Sequence, residues 1–134
     1  MVKDQKDNKI KNFGLDRLKN LEFPGGKFVY PKDYNVEESF RYSFGIIASD
    51  NEKPQEIMLS FEPEQGKYIK TLPLHESQQV LVDTEDELQI SLKLWVTHDL
   101  IMELLSYGDS MKVLKPKSLA NRINVEHEKA VKRY

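Results

Sequence analysis

The sequence predicts an α+β fold, and three features predict it. Residues 87–96 alternate between apolar and polar side chains, as a strand with one buried face does. Residues 100–105 and the segment after residue 118 space their apolar side chains as amphipathic helices do. Proline, glycine and acidic turns divide these runs at short intervals, so strands and helices follow one another within one compact module.

The elements follow in order. Residues 1–12 are almost entirely polar and read as a solvated arm or an exposed edge. In Phe13-Gly-Leu-Asp-Arg-Leu-Lys-Asn-Leu-Glu22, the side chains of Phe13, Leu15 and Arg17 share one face, which predicts a short strand that changes phase at Leu18. Pro24-Gly25-Gly26 predicts a turn. Asp33 or Asn35 is placed to cap a short helix ending near Phe40. Residues 42–48 are apolar and fit a strand or an extended linker. The polar stretch 50–55 is the candidate domain boundary, separating a β-rich N-terminal part, residues 1–50, from a second module, residues 56–134.

The second module is better defined. Ile57, Leu59 and Phe61 alternate with Met58 and Ser60, which predicts a half-buried strand. Pro63 suits the first position of a helix that runs to about Lys70 despite Gly66 and is stopped by Pro73. Residues 77–82 and 87–96 flank the acidic turn Asp83-Thr-Glu-Asp86 and predict an antiparallel hairpin. Leu88, Ile90, Leu92, Leu94 and Val96 point inward, with Trp95 on the opposite, open face. Thr97 is placed to cap a helix carrying Leu100, Ile101, Leu104 and Leu105, and Gly108 stands where a left-handed terminating residue is wanted. A short strand over 111–115 follows. Ser118 is expected to cap a final helix that buries Leu119, Ile123, Ala130 and Tyr134. The order is βαββαβ plus a terminal helix, which is the ferredoxin-like, split-βαβ order with a four-stranded antiparallel sheet covered on one face.

Composition limits the chemistry. Of 134 residues, 39% are hydrophobic and 31% charged, the balance of a globular chain, and the net charge of −2 gives no general attraction to nucleic acid or to an anionic membrane. The sequence holds no cysteine, so disulfides, thiolate metal sites and a cysteine nucleophile are excluded. No apolar run approaches the roughly 20 residues of a membrane span, and the N-terminus lacks a signal-peptide core, so a cytoplasmic protein is expected. His75, His98 and His127 lie on separate predicted elements without metal-ligand spacing. Pro24-Gly25-Gly26-Lys27 lacks the spacing of a phosphate loop, and no Gly-x-Ser-x-Gly elbow is present. No catalytic residue, metal site or cofactor is expected.

Two basic segments and one aromatic residue remain as site candidates. Residues 1–20 hold six basic side chains against three acidic ones, a local excess of three, and within them Lys9, Lys11 and Arg17 are candidate anion or nucleic-acid contacts. Lys115 and Lys117 flank a strand-to-helix junction whose free N–H groups suit an anion. Trp95, if exposed on the open sheet face, is a candidate partner surface.

Three strings give the chain a resemblance. Lys70-Thr-Leu-Pro-Leu-His-Glu-Ser-Gln78 resembles the "ERPLHPSQ" region of bacterial WYL-domain transcriptional regulators. Leu104-Leu-Ser-Tyr-Gly-Asp109, followed by Val113-Leu-Lys-Pro-Lys-Ser-Leu119, resembles their "LLSFG…VLEPxxL" region. Lys11-Asn-Phe-Gly-Leu-Asp-Arg-Leu18 is similar to the last strand of the WYL domain, usually "R-x-F-R-L-D-R-I". Arg17 keeps one of that strand's basic residues, whereas Lys11 and Gly14 stand where the family often has arginine. The family's Trp-Tyr-Leu triplet and helix-turn-helix have no counterpart among these residues. The resemblance implies the end of a WYL barrel plus its ferredoxin-like C-terminal extension. It also implies a regulatory role in ligand sensing or homodimerisation, a possible nucleic-acid or nucleotide effector, and DNA contact only through a helix-turn-helix absent from this chain. The alternative is a stand-alone nucleic-acid or nucleotide-binding module using the N-terminal basic arm.

Overall fold

The computed structural model describes residues 2–27, 29, 31, 32, 34–48 and 53–134. They fall into two compact units, Met1–Asn35 and Val36–Tyr134. In the first, β1 (Val2–Lys3) pairs antiparallel with β2 (Ile10–Lys11), Val2 opposite Lys11. The loop between them is shaped by its own aspartates: Asp4 accepts the Lys6 N–H at 2.9 Å and Asp7 accepts the Lys9 N–H at 3.0 Å. Both are local side-chain turns that these residue types favour.

The strand expected over residues 13–22 is not there. Leu15–Arg17 form a single 3-10 turn, closed by Arg17 N–H to the Gly14 carbonyl at 3.1 Å and Leu18 N–H to the Leu15 carbonyl at 3.3 Å. Phe13, Leu15 and Arg17 are all exposed. Among the described residues no neighbouring strand offers them a ladder and no core receives them, so i→i+3 bonds satisfy the backbone instead. Gly25 takes a positive φ of 75° after Pro24, but the described residues around it form no hairpin.

The second unit opens with α1 (Val36–Phe40), which has Glu37 and Glu38 in its first turn. Asn35 directly precedes it; the other expected cap, Asp33, lies outside the described residues. Residues 42–48 form turns rather than a strand. The sheet then runs β4 (Gln79–Asp83), β5 (Leu88–Leu94), β3 (Gln55–Phe61), β6 (Met111–Lys115), with every neighbouring pair antiparallel. With α2 (Pro63–Thr71), α3 (His98–Ser106) and α4 (Lys117–Val131) in sequence, this is the split βαββαβ order read from the sequence.

One face of the sheet is the core. Ile57, Leu59 and Phe61 of β3 and Leu88, Ile90, Leu92 and Leu94 of β5 are buried, opposite Ile69 of α2, Leu100, Ile101 and Leu104 of α3, and Leu119 and Ile123 of α4. Full burial of one such side chain is worth roughly 1.5–3 kcal/mol before conformational entropy is counted against it. Met58, Ser60, Gln89 and Ser91 on the other face are only half-buried.

Local signals set most helix ends. Pro63 occupies the first turn of α2, and Thr97 caps α3 by accepting the Leu100 N–H at 3.4 Å. After α3, Gly108 adopts φ 57°, the left-handed residue expected there. α4 differs at both ends. Its N-cap is Pro116 rather than Ser118, so Ser118 lies inside the first turn and makes no capping bond. Ala130 and Tyr134, expected on the buried side, are exposed; Ile123 is the last buried residue of the helix.

Gly66 looks unfavourable in a helix until packing is considered. It is buried, and a Cβ there would lie 2.8 Å from Cβ of Leu88. That atom is fixed to the backbone of β5 and cannot swing aside. Gly66→Ala should therefore lower stability by about 1–3 kcal/mol through overpacking, outweighing the gain of up to about 1 kcal/mol in helix propensity. Urea denaturation followed by circular dichroism measures the sign, and a stabilised variant would refute the close approach.

Candidate functional site

The strings that carry the family resemblance are spent on joints of the fold. In the loop after α2, Gln78 does most of the joining. Its amide donates to the Ile69 carbonyl at 3.0 Å, its side-chain oxygen accepts the Leu74 N–H at 2.9 Å, and its own N–H donates to the His75 carbonyl at 3.0 Å. Ser77 accepts the Lys93 N–H at 3.0 Å, tying the loop to β5 just before β4 begins. The Ser77 N–H donates to Nδ1 of His75 at 3.1 Å. With Nδ1 as the acceptor, the ring is neutral and carries its proton on Nε2. Burial holds its pKa below the ordinary histidine value.

The second string forms a similar joint at the far end of α3. Tyr107 stands edge-on to Phe61 with ring centroids 5.3 Å apart and donates its hydroxyl to Glu103 at 2.6 Å. Burial first, and that bond second, hold the phenol well above its ordinary pKa, so it stays protonated. Ser110 donates to the Tyr107 carbonyl at 2.7 Å, and its own carbonyl accepts the Glu62 N–H at 3.0 Å. The turn is thereby tied to the start of α2.

The basic candidates divide between the two units. In the first, Lys11 is gripped by two carboxylates, Asp4 at 2.6 Å and Asp7 at 2.7 Å. Those hydrogen bonds hold the ammonium above, and both aspartates below, their ordinary pKa values. The cluster carries net −1, so Lys11 presents no free positive charge to a phosphate. Lys9 is exposed beside it, and Arg17 reaches only its neighbour Asp16, at 4.0 Å. In the second unit, Lys115 and Lys117 stand exposed on either side of Pro116 at the start of α4. The clamp on Lys11 was legible in the spacing Asp4, Asp7, Lys11, a pairing that the sequence reading passed over.

Trp95 is not exposed on the open sheet face. It is 8% exposed, and its indole meets the ring of Tyr42 edge-on at a centroid distance of 5.7 Å. The alternation of β5 stops at Leu94, and Tyr42 packs on the next position. No local pattern could show this, because the cover comes from about fifty residues upstream.

At one end of the open sheet face, Glu87 accepts hydrogen bonds from Ser60 at 2.7 Å and Gln89 at 2.8 Å. The Ser60 hydroxyl, then the Gln89 amide, keep its carboxyl below the ordinary range, so it is ionised and unsuited to act as a general acid near neutral pH. Ser60, Glu87, Asp109 and Lys112 border an open cleft of about 550 Å³. Among the described residues no group of three His, Asp or Glu side chains could hold a metal ion, and no helix is long and apolar enough to cross a membrane.

Fold and joints together define an α+β module whose recognisable residues are structural. Residues 53–131 match the WCX domain, and the chain belongs to that family, the C-terminal domain of WYL-type regulators. Among solved structures, the chain is similar to proteasome accessory factor B/C (PafBC) of Arthrobacter aurescens. The identity is 22% and the TM-score 0.40, over 73% of this chain and 14% of that one. The chain thus spans about one seventh of the length of that structure. No curated protein matches it.

The His75 joint has a pH consequence. Because the folded pKa lies below the unfolded one, the unfolded chain takes up the proton first as pH falls. Stability should therefore decline as pH drops below about 6.5, the unfolded value, and level off once the depressed folded value is passed. The shifted carboxylates titrate below this window. Urea midpoints between pH 7.5 and 5.5 measure the decline. His75→Asn, whose side-chain oxygen can accept the Ser77 N–H without titrating, should flatten it, and an unchanged slope would rule His75 out as its source.

Proposed function

We propose that this chain is the non-catalytic, regulatory C-terminal part of a WYL-family transcriptional regulator, acting in homodimerisation, in ligand sensing, or in both. The observation that carries this reading is the match of residues 53–131 to the WCX domain. The commitment of Gln78, Ser77, Tyr107 and Ser110 to the fold's own joints supports it, since the shared residues serve architecture rather than chemistry. On this reading, residues 1–50 hold the last strand of a WYL barrel plus a linker, and residues 56–134 form the C-terminal extension. DNA contact belongs to a helix-turn-helix outside these residues, the protein is bacterial and cytoplasmic, and any effector is a nucleic acid or nucleotide.

The two sheet edges differ in a way that favours pairing through one of them. β6 carries Lys112 and Lys115 and runs into Pro116, which discourages another strand. β4 is the opposite edge and exposes Val80 and Leu81, while its one charge, Asp83, is neutralised by Lys70 at 2.9 Å. Two copies meeting along β4 would bring together apolar side chains without like-charge repulsion. Light scattering at high concentration should give twice the 15.7 kDa mass of one chain, and Leu81→Lys should return it to monomer. A strict monomer would remove dimerisation from the proposal.

The alternative, nucleic-acid binding through the basic arm, is weakened by the clamp on Lys11. Fluorescence anisotropy with single-stranded DNA at low salt should be unchanged when Lys9, Lys11 and Arg17 are replaced by alanine. Binding that weakens steeply with salt, and is lost on replacing Lys9, Lys11 and Arg17 by alanine, would restore the alternative.

A further inference from the structure

Residues 42–46 are fastened to the rest of their unit at a few points, around Asp99 and around Trp95, the sole tryptophan. The Trp95 N–H donates to the Tyr42 carbonyl at 2.9 Å, and the two rings meet edge-on. The Lys93 ammonium and the Arg41 guanidinium stand 5.5 Å and 5.8 Å from the centroid of the Tyr42 ring. Farther on, the Ile46 N–H donates to the Asp99 carboxylate at 3.1 Å. Gly45, at φ 77°, passes so near Asp99 that a Cβ would lie 2.5 Å from the same carboxylate oxygen. Phe44 packs against the core between these points.

Other features work against this attachment. Residues 42–46 make no strand pairing with the sheet, whereas β3 and β5 are matched over seven residue pairs. The five residues of α1 are too few for a helix that holds itself together. Ser43 is only 7% exposed, and its hydroxyl has no hydrogen-bond partner among the described residues. A buried hydroxyl without a partner favours any state that returns it to water. Ile46 stays largely exposed even in the docked state.

We propose that residues 42–46 are a releasable latch. Docked, they are held on Trp95 and Asp99; released, they open to solvent while the sheet and its helices stay folded. The latch ends at a mechanical junction, because the Thr97 N–H donates to the Trp95 carbonyl at 3.0 Å and Thr97 caps α3. A pull on the chain before residue 42 therefore reaches the start of α3. The latch does not depend on the regulatory reading, and its failure would leave that reading standing.

Native-state hydrogen exchange and the fluorescence of Trp95 in the full 134-residue chain test the latch together. In the wild type, the buried Trp95 amide should exchange at least about tenfold faster than the most protected amides of β3 and β5. Ser43→Ala removes the unpartnered hydroxyl and should slow exchange at Trp95 several-fold, up to about tenfold. Tyr42→Ala should shift the Trp95 emission to the red and increase its quenching by acrylamide several-fold, with the far-ultraviolet circular dichroism unchanged. Equal protection of Trp95 and the core strands in the wild type would overturn the latch. So would unchanged or faster exchange at Trp95 in Ser43→Ala, a variant small enough to fold.

Discussion

β3 is hydrogen-bonded on both sides, to β5 and to β6, and its inward side chains Ile57, Leu59 and Phe61 are almost completely buried. The rest of the second unit is arranged around that strand. Its pairing with β5 sets Leu59 opposite Ile90 and Ile57 opposite Leu92, so one register places the whole apolar row of both strands under the helices. A slip of one residue would turn those side chains to the open face and bring Met58, Ser60, Gln89 and Ser91 inward. The helices then compete for the same covered face. α2 comes close enough to β5 that only a glycine fits at position 66.

Tight packing on one face explains why the chain's most recognisable residues are not reactive ones. A loop that leaves a helix and re-enters a sheet carries backbone groups that must find partners away from water. Gln78, Ser77 and His75 supply them after α2, and Tyr107 and Ser110 do so after α3. Each stands at a fixed offset from the end of a helix, and such a requirement leaves a pattern in the sequence. A regulatory surface leaves none of this kind, because an effector or a second copy imposes its geometry from outside the chain.

The first unit follows different physics. Its apolar residues find no extensive core, with Phe13, Leu15 and Leu21 exposed. Short-range hydrogen bonds from Asp4 and Asp7 shape its hairpin loop, and the same two carboxylates neutralise Lys11. Counting charges along residues 1–20 suggested an open basic patch. That sum already includes both aspartates and the clamp does not lower it; what the clamp changes is which cations are free, because Lys11 is held by two carboxylates.

By itself the sequence determined the α+β class, the βαββαβ order, the buried face of β3 and β5, the Thr97 cap and the left-handed Gly108. These rest on period, on capping residues and on turn residues, which act over a few positions and are legible wherever they occur. The tertiary structure decided the fate of Trp95, the need for Gly66, the 3-10 turn at residues 15–17 and the exposed end of α4. The physical reason is the same in each case. Whether a side chain is buried, paired or free depends on which distant segment lies against it, and residues 42–46 reach Trp95, or fail to, only once the sheet has formed.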